Sequence, residues 1–116
     1  GEGAELYKGC AIAHTEEALP EIRVAAAQAA DELLSISGVE ASFVIYRTDN
    51  AANFSARSLG DVNVQILMEA LGGGGHMTMA GAQLKEIGME AARQKLLQAI
   101  DQYFEQRPKE KEKQKA

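Results

Sequence analysis

Apolar residues recur in this chain with two periods, about 3.6 and 2, and the way these alternate predicts a layered α/β domain. Ile22, Ala26, Ala29, Leu33 and Ile36 fall at threes and fours, placing one apolar stripe on a helix that opens at Pro20 and ends at Ser37-Gly38. Ala25, Ala27 and Ala30 raise its helix propensity and keep it thin enough to lie close to a sheet. Met89, Ala92, Leu96, Ile100 and Tyr103, broadened by Leu97 and Phe104, predict a last helix reaching about Gln106 and closed by Pro108.

Between these helices, Ala41–Tyr46 is aromatic and β-branched, and Asn53–Arg57 returns after the turn residues Thr48-Asp49-Asn50-Ala51. That is a β-hairpin. Its alternation puts Phe54 and Ala56 on one face and Ser55 and Arg57 on the other. Leu6–His14 is apolar without alternation, as in a strand covered on both faces. Val62–Leu71, with Asp61 as its cap, is apolar round most of its circumference and predicts a buried helix. Met77–Leu84 reads as a turn followed by a strand through Ala80–Leu84. The expected fold is α/β, a small mixed sheet of about four strands with packed helices over residues 6–106, flanked by an N-terminal tail (1–5) and a charged, disordered C-terminal tail (107–116).

Composition narrows the function. With 46% apolar and 25% charged residues, the 116-residue chain has the make-up of one globular domain. The formal net charge is -5, and much of the basic content lies in the last ten residues. A domain gripping long nucleic acid through a general phosphate field would be basic. A small anionic ligand held by one or two arginines remains open. Cys10 is the one cysteine, so no internal disulfide forms and a reducing compartment is expected, with Cys10 as a small buried hydrophobe. No run approaches the roughly 18 apolar residues of a membrane span. Opening on Gly1 without Met is the expectation for a piece of a longer protein.

The chemistry centres on Gly72-Gly73-Gly74-Gly75-His76. Each glycine surrenders more backbone freedom on folding than any other residue, so the run makes sense where a backbone turns tightly and approaches something closely. Its free N–H groups form a nest for a phosphate, and His76 offers a donor or a stacking ring. A plainer reading stays open, in which Gly72 is the left-handed cap of the preceding helix and a flexible loop follows. The run lacks the G-x-G-x-x-G spacing of a dinucleotide fold and the Lys-Ser/Thr ending of a P-loop. Arg57 supplies a planar fork for phosphate oxygens, Ser55 and Ser58 supply hydroxyls, and Asn63 a polar contact near the same helix start. For Arg57 the alternative is a surface ion pair, and for His14 a solvent-facing side chain. Two histidines, no H-E-x-x-H and no C-x-x-C leave no catalytic metal set or nucleophile arrangement in the sequence. It reads as a binding half without a catalytic half.

Phe54-Ser55-Ala56-Arg57-Ser58-Leu59-Gly60-Asp61-Val62-Asn63-Val64-Gln65, then Met68-Glu69 and Leu71-Gly72-Gly73-Gly74-Gly75-His76, closely resembles the DHHA1 domain, the C-terminal lobe of the DHH phosphoesterase superfamily. Gly38-Val39-Glu40-Ala41-Ser42-Phe43-Val44, Ala29–Leu34 and Ala99-Ile100-Asp101-Gln102-Tyr103 resemble the membrane-anchored cyclic-di-AMP phosphodiesterase branch. The resemblance implies a separate DHH domain in the same parent chain, holding two manganese ions and the catalytic aspartates and histidines. It implies that the lobe closes over a cyclic dinucleotide or short oligonucleotide, with Gly72–Gly75 and His76 on the nucleotide and Arg57 on the phosphate. It places the lobe on the cytoplasmic side of a bacterial membrane without direct membrane contact, with a homodimer as one assembly. After His76, Met77-Thr78-Met79-Ala80-Gly81-Ala82 departs from the cyclic-di-AMP branch, in which an Asn commonly precedes the small residues, and is closer to the general exonuclease pattern. Two other classes stay open: a non-catalytic nucleotide-sensing module and a structural or dimerising domain.

Overall fold

The computed structural model describes the backbone of residues 3–115 and the side chains of 3–107. Six strands form one mixed sheet in the order β1-β2-β3-β4-β6-β5. In chain order the elements are β1 (Glu5–Tyr7), β2 (Cys10–Thr15), α1 (Ile22–Leu33), β3 (Ala41–Thr48), β4 (Ala51–Ser58), α2 (Val64–Ala70), β5 (Gly74–Gly75), β6 (Met79–Lys85) and α3 (Met89–Lys115). The expected α/β architecture is present, with two more strands than about four. Each extra strand has a local cause. Lys8 and Gly9 both take positive φ, 50° and 80°, which folds the expected Leu6–His14 strand into a tight hairpin. β5 is half of the glycine run itself.

The central pair β3–β4 is antiparallel over eight residues, and β2 runs parallel to β3 through the α1 crossover. One face of the sheet carries α2 and α3. There Phe43, Ile45, Phe54 and Ala56 meet Leu67, Met68, Leu96 and Ile100, all buried in one core. Burial of each large side chain contributes about 1.5–3 kcal/mol. The other face carries α1 alone. Ala26 and Ala30 pack on Val44 and Tyr46, and the thin helix comes close enough for Ser42 Oγ to donate to Ala30 O at 2.6 Å.

Several boundaries move. α1 stops at Leu33, so Ile36 lies beyond it and is exposed. Asp61 is not the cap of α2. Asn63 is, its Oδ1 accepting from the N–H groups of Gln65 and Ile66 at 3.0 and 3.3 Å. Val62 is therefore buried outside the helix. β6 begins at Met79, one residue before the expected strand and after the turn. Pro108 does not close α3, whose backbone stays helical to Lys115 where a disordered tail was expected. Glu5, expected in the N-terminal tail, opens β1. Gly1, Glu2 and Ala116 lie outside the described residues.

Ion pairs pin β1 and its turn to α3. Arg93 grips Glu5 through both carboxylate oxygens, Nε to Oε1 at 2.8 Å and Nη2 to Oε2 at 2.7 Å. Asp101 Oδ1 accepts from Lys8 Nζ at 2.6 Å and from Tyr7 OH at 2.7 Å. The Lys8 bond, then the Tyr7 bond, hold the Asp101 carboxyl below its ordinary range, and the Asp101 bond raises Lys8. Asp101 therefore adds stability that is present above the unfolded carboxyl pKa of about 3.9 and lost as pH falls through its lower folded value. Lys8 adds stability below its unfolded pKa, lost as pH rises through the higher folded one. Asp101→Asn is expected to flatten the acid limb of melting temperature against pH, leaving the curve shape near neutrality unchanged. An acid limb as steep as wild type would remove Asp101 from that role.

Candidate functional site

Because α1 packs on β3 and part of β4, the β6 side of that sheet face is open. An exposed cleft of about 470 Å³ lies there, floored by Asn53, Ser55 and Arg57 of β4 and by Gly81 and Gln83 of β6, with Arg23 of α1 at its wall. The period-2 reading of β4 holds: Phe54 and Ala56 enter the core, while Ser55 and Arg57 face the cleft.

Arg57 is held rather than free. Its Nη1 donates to Ala56 O at 2.9 Å and stands 3.5 Å from Ser55 Oγ. Its Nε is 3.2 Å from Asp31 Oδ1 on α1, yet that contact is misaligned and Nε is buried without a hydrogen-bond partner among the described residues. Nε is out of a ligand's reach, so an incoming anion would meet the planar guanidinium through its other nitrogens at the cleft floor. At the other end, Asn53 is spent internally. Its Nδ2 donates to Tyr46 O and Thr48 Oγ1, and its Oδ1 accepts from Gln83 Nε2 at 2.9 Å.

The glycines divide by role. Gly72 (φ 85°) and Gly73 close α2, with Gly72 N–H bonded to Glu69 O at 3.0 Å and Gly73 N–H to Met68 O at 2.8 Å. This is the Schellman arrangement, so the plainer reading of Gly72 as a left-handed cap holds for that residue. The run does approach something closely, and it is the chain's own strand β6. A Cβ on Gly73 would lie 2.0 Å from Gly81 O, and one on Gly75 2.5 Å from Met79 O. The flexible-loop alternative fails here, because Gly74 and Gly75 pair with Gly81 and Ala80 at the sheet edge. Those same approaches bring Gly73 against Ala82 and Gly75 against Ala80. The small Ala80-Gly81-Ala82 segment therefore has a packing cause in the fold.

Gly74 differs. It has no positive φ, and a Cβ there would meet nothing within 4 Å. Register aligns Ser55, Gly81 and Gly74 in one row across three strands, spanning roughly 10 Å. Arg57 and Met79 form the next row on that face, and His76 follows, its N–H bonded to Met79 O at 2.6 Å.

The structure thus brings Ser55 and Arg57 to the cleft floor and Gly74 into line with them. His76 is exposed at the edge turn two strands from Arg57 and does not line the cleft. Ser58 is removed from the set, since its buried hydroxyl donates to Val62 O at 2.6 Å and accepts from Gly60 N–H at 3.0 Å. Asn63 turns its oxygen to the α2 cap. The sequence reading did not single out Asn53, Gln83, Tyr46, Arg23 or Asp31. The alternation that found Ser55 also passes through Asn53, while the docking of α1 brings Arg23 to the cleft wall and Asp31 against Arg57. His14 pairs with Ile45, whose side chain faces the α2–α3 core, so it stands across the sheet from the cleft. Cys10 is buried, and burial pushes its thiol up to about 11, which makes it unreactive. Among the described residues no group of three or more His, Cys, Asp or Glu is arranged to hold a metal ion, and no helix is long and apolar enough to cross a membrane.

This open-faced mixed sheet is shared with solved proteins. An exopolyphosphatase-related protein from Bacteroides fragilis superposes with a TM-score of 0.74 over 85% of this chain and 31% of its own, at 23% identity. The DHHA1 domain family model matches residues 21–106, and the chain belongs to that family. Among curated relatives, the cyclic-di-AMP phosphodiesterase GdpP of Geobacillus thermodenitrificans is 55% identical over 98 residues, covering 84% of this chain and 15% of that protein. PdeA of Listeria monocytogenes, also a cyclic-di-AMP phosphodiesterase, is 50% identical over 105 residues, covering 89% and 16%. The chain thus spans about one sixth of the length of these relatives.

Proposed function

We propose that this chain is the nucleotide-binding lobe of a larger, manganese-dependent DHH/DHHA1 phosphodiesterase that hydrolyses cyclic-di-AMP or a related dinucleotide. The observation that carries this reading is the uncovered sheet face, where an arginine anchored at the cleft floor shares a face with a glycine that the fold itself does not require. Relatives named as cyclic-di-AMP phosphodiesterases supply the substrate class. In this reading Arg57 holds a phosphate, Ser55 adds a hydroxyl, and Gly74 leaves room for the ligand to lie flat along the β6–β5 edge. His76 meets the nucleotide from the edge turn. Among the described residues no His, Cys, Asp or Glu group is arranged to hold a manganese ion, and in this reading the metal and the attacking water belong to a DHH domain elsewhere in the parent. This lobe contributes fixed donors that bind and orient the phosphate. The parent is membrane-anchored in this reading, with the lobe on the cytoplasmic side.

An NMR titration with cyclic-di-AMP in the absence of metal tests it. Saturable shifts at Arg57, Ser55 and Gly74, with smaller ones at His76, are the expected result. Saturable binding that leaves those residues unmoved would overturn the site assignment.

A further inference from the structure

The contact between Arg57 and Asp31 carries a consequence for which phosphates the cleft accepts. Arg57 is anchored without help from Asp31, because Nη1 already bonds Ala56 O and borders Ser55 Oγ. Asp31 adds no aligned hydrogen bond. What it adds is charge: a carboxylate 64% exposed, 3.2 Å from a guanidinium that is only 12% exposed. We propose that Asp31 is a specificity-determining residue, cancelling the charge of Arg57 so that the cleft takes phosphodiesters without being captured by more highly charged terminal phosphates.

The inference rests on the reading of Arg57 as the phosphate contact. A phosphodiester carries one negative charge, and a terminal phosphate about 1.5 to 2 near neutral pH. Beside a lone arginine the extra charge would favour the monoester. Beside an arginine and a carboxylate the two fields nearly cancel for the added charge, and hydrogen-bond geometry decides instead. Arg23, the other cation at the cleft, is eight residues from Asp31 along α1, about 12 Å away. Because Arg23 lines the same cleft, its field favours the dianion in every variant alike and leaves the comparison between Asp31 variants unchanged. Glu32, next to Asp31, adds charge of the same sign. A diester-cleaving protein whose product ends in a terminal phosphate gains from such a device, since the product does not outcompete the substrate.

The test compares AMP with adenosine 5′-methylphosphate at about pH 8, where the first is a dianion and the second a monoanion of nearly the same shape. Kd values come from NMR titration of the wild-type chain, Asp31→Asn and Asp31→Glu. Asp31→Asn is expected to tighten AMP about three- to fivefold more than the methyl ester, the scale of one exposed unit charge at close range. Asp31→Glu keeps the charge and is expected to keep the wild-type ratio. An equal change for both ligands, or none, would overturn the charge-selective role while leaving Arg57 as the phosphate contact. Failure of both ligands to bind any of the three chains would overturn the phosphate reading of Arg57 and this inference with it.

Discussion

Replacing Arg57 by alanine is expected to remove the cyclic-di-AMP response of this chain and to lower kcat/KM of the intact parent on the order of 10²-fold, the scale for losing one fixed donor to a phosphate or oxyanion. The fold does not depend on this side chain. Among the described residues the polar partners of its guanidinium are Ala56 O, Ser55 and an exposed Asp31, on the sheet face away from the α2–α3 core. The melting temperature is therefore expected to move by no more than a few degrees. Arg57→Lys restores charge without the planar fork and is expected to recover only part of the binding. A variant that unfolds, or one that binds as wild type does, would take Arg57 out of the site.

The glycine run offers an internal control of comparable size. Gly73→Ala would force a methyl group into the β6 backbone, 2.0 Å from Gly81 O and 2.7 Å from Ala82 Cα. Backbone cannot step aside as a flexible side chain would, so the β5–β6 pairing has to open. A loss of about 3 kcal/mol is expected, which for a domain of this size lowers the melting temperature by roughly 10–20 °C. Gly74→Ala meets no atom and needs no unusual backbone angle. It is expected to leave stability unchanged or to raise it by about 0.5 kcal/mol through the unfolded chain. Its effect falls on the ligand, whose path along the sheet edge the new methyl narrows. Thermal melts of the two variants, paired with the cyclic-di-AMP titration, separate glycine kept for the fold from glycine kept for the site. Equal destabilisation by both would mean that Gly74 too serves packing.

These two experiments bear on different layers of the same surface. Gly73 and Gly75 let a two-residue strand lie against Ala80 and Ala82, and that strand extends the floor on which Arg57 stands. The edge strand is short and made of glycine, so its outer side carries no side chains. The converging N–H nest expected of the glycine run is not what the fold builds, since the Gly72 and Gly73 N–H groups close α2 and Gly74-Gly75 form a strand edge.

Much of this was legible without coordinates, because it rests on local periodicity. The period of 2 along Phe54-Ser55-Ala56-Arg57 separated core from cleft, since a strand turns successive side chains to opposite faces whatever it packs against. The apolar stripes of α1 and α3 and the strength of Ala41–Tyr46 likewise express themselves within a dozen residues. The motif spanning Ser55-Ala56-Arg57-Ser58 and the glycine run carried the family. The rest depended on contacts between residues far apart in the chain. Ser58 is the exception, its hydroxyl spent within its own turn on Val62 O and Gly60 N–H, a local detail that strand alternation does not carry. Asp31 reads as surface until α1 docks beside β4 and sets it against Arg57. Which glycine serves packing is decided by β6, several residues further on, because a missing Cβ has meaning only once the atom it would strike is in place. The chain's own pattern determined the elements, their buried faces and the family, while tertiary structure alone decided which polar groups remain unspent for a ligand.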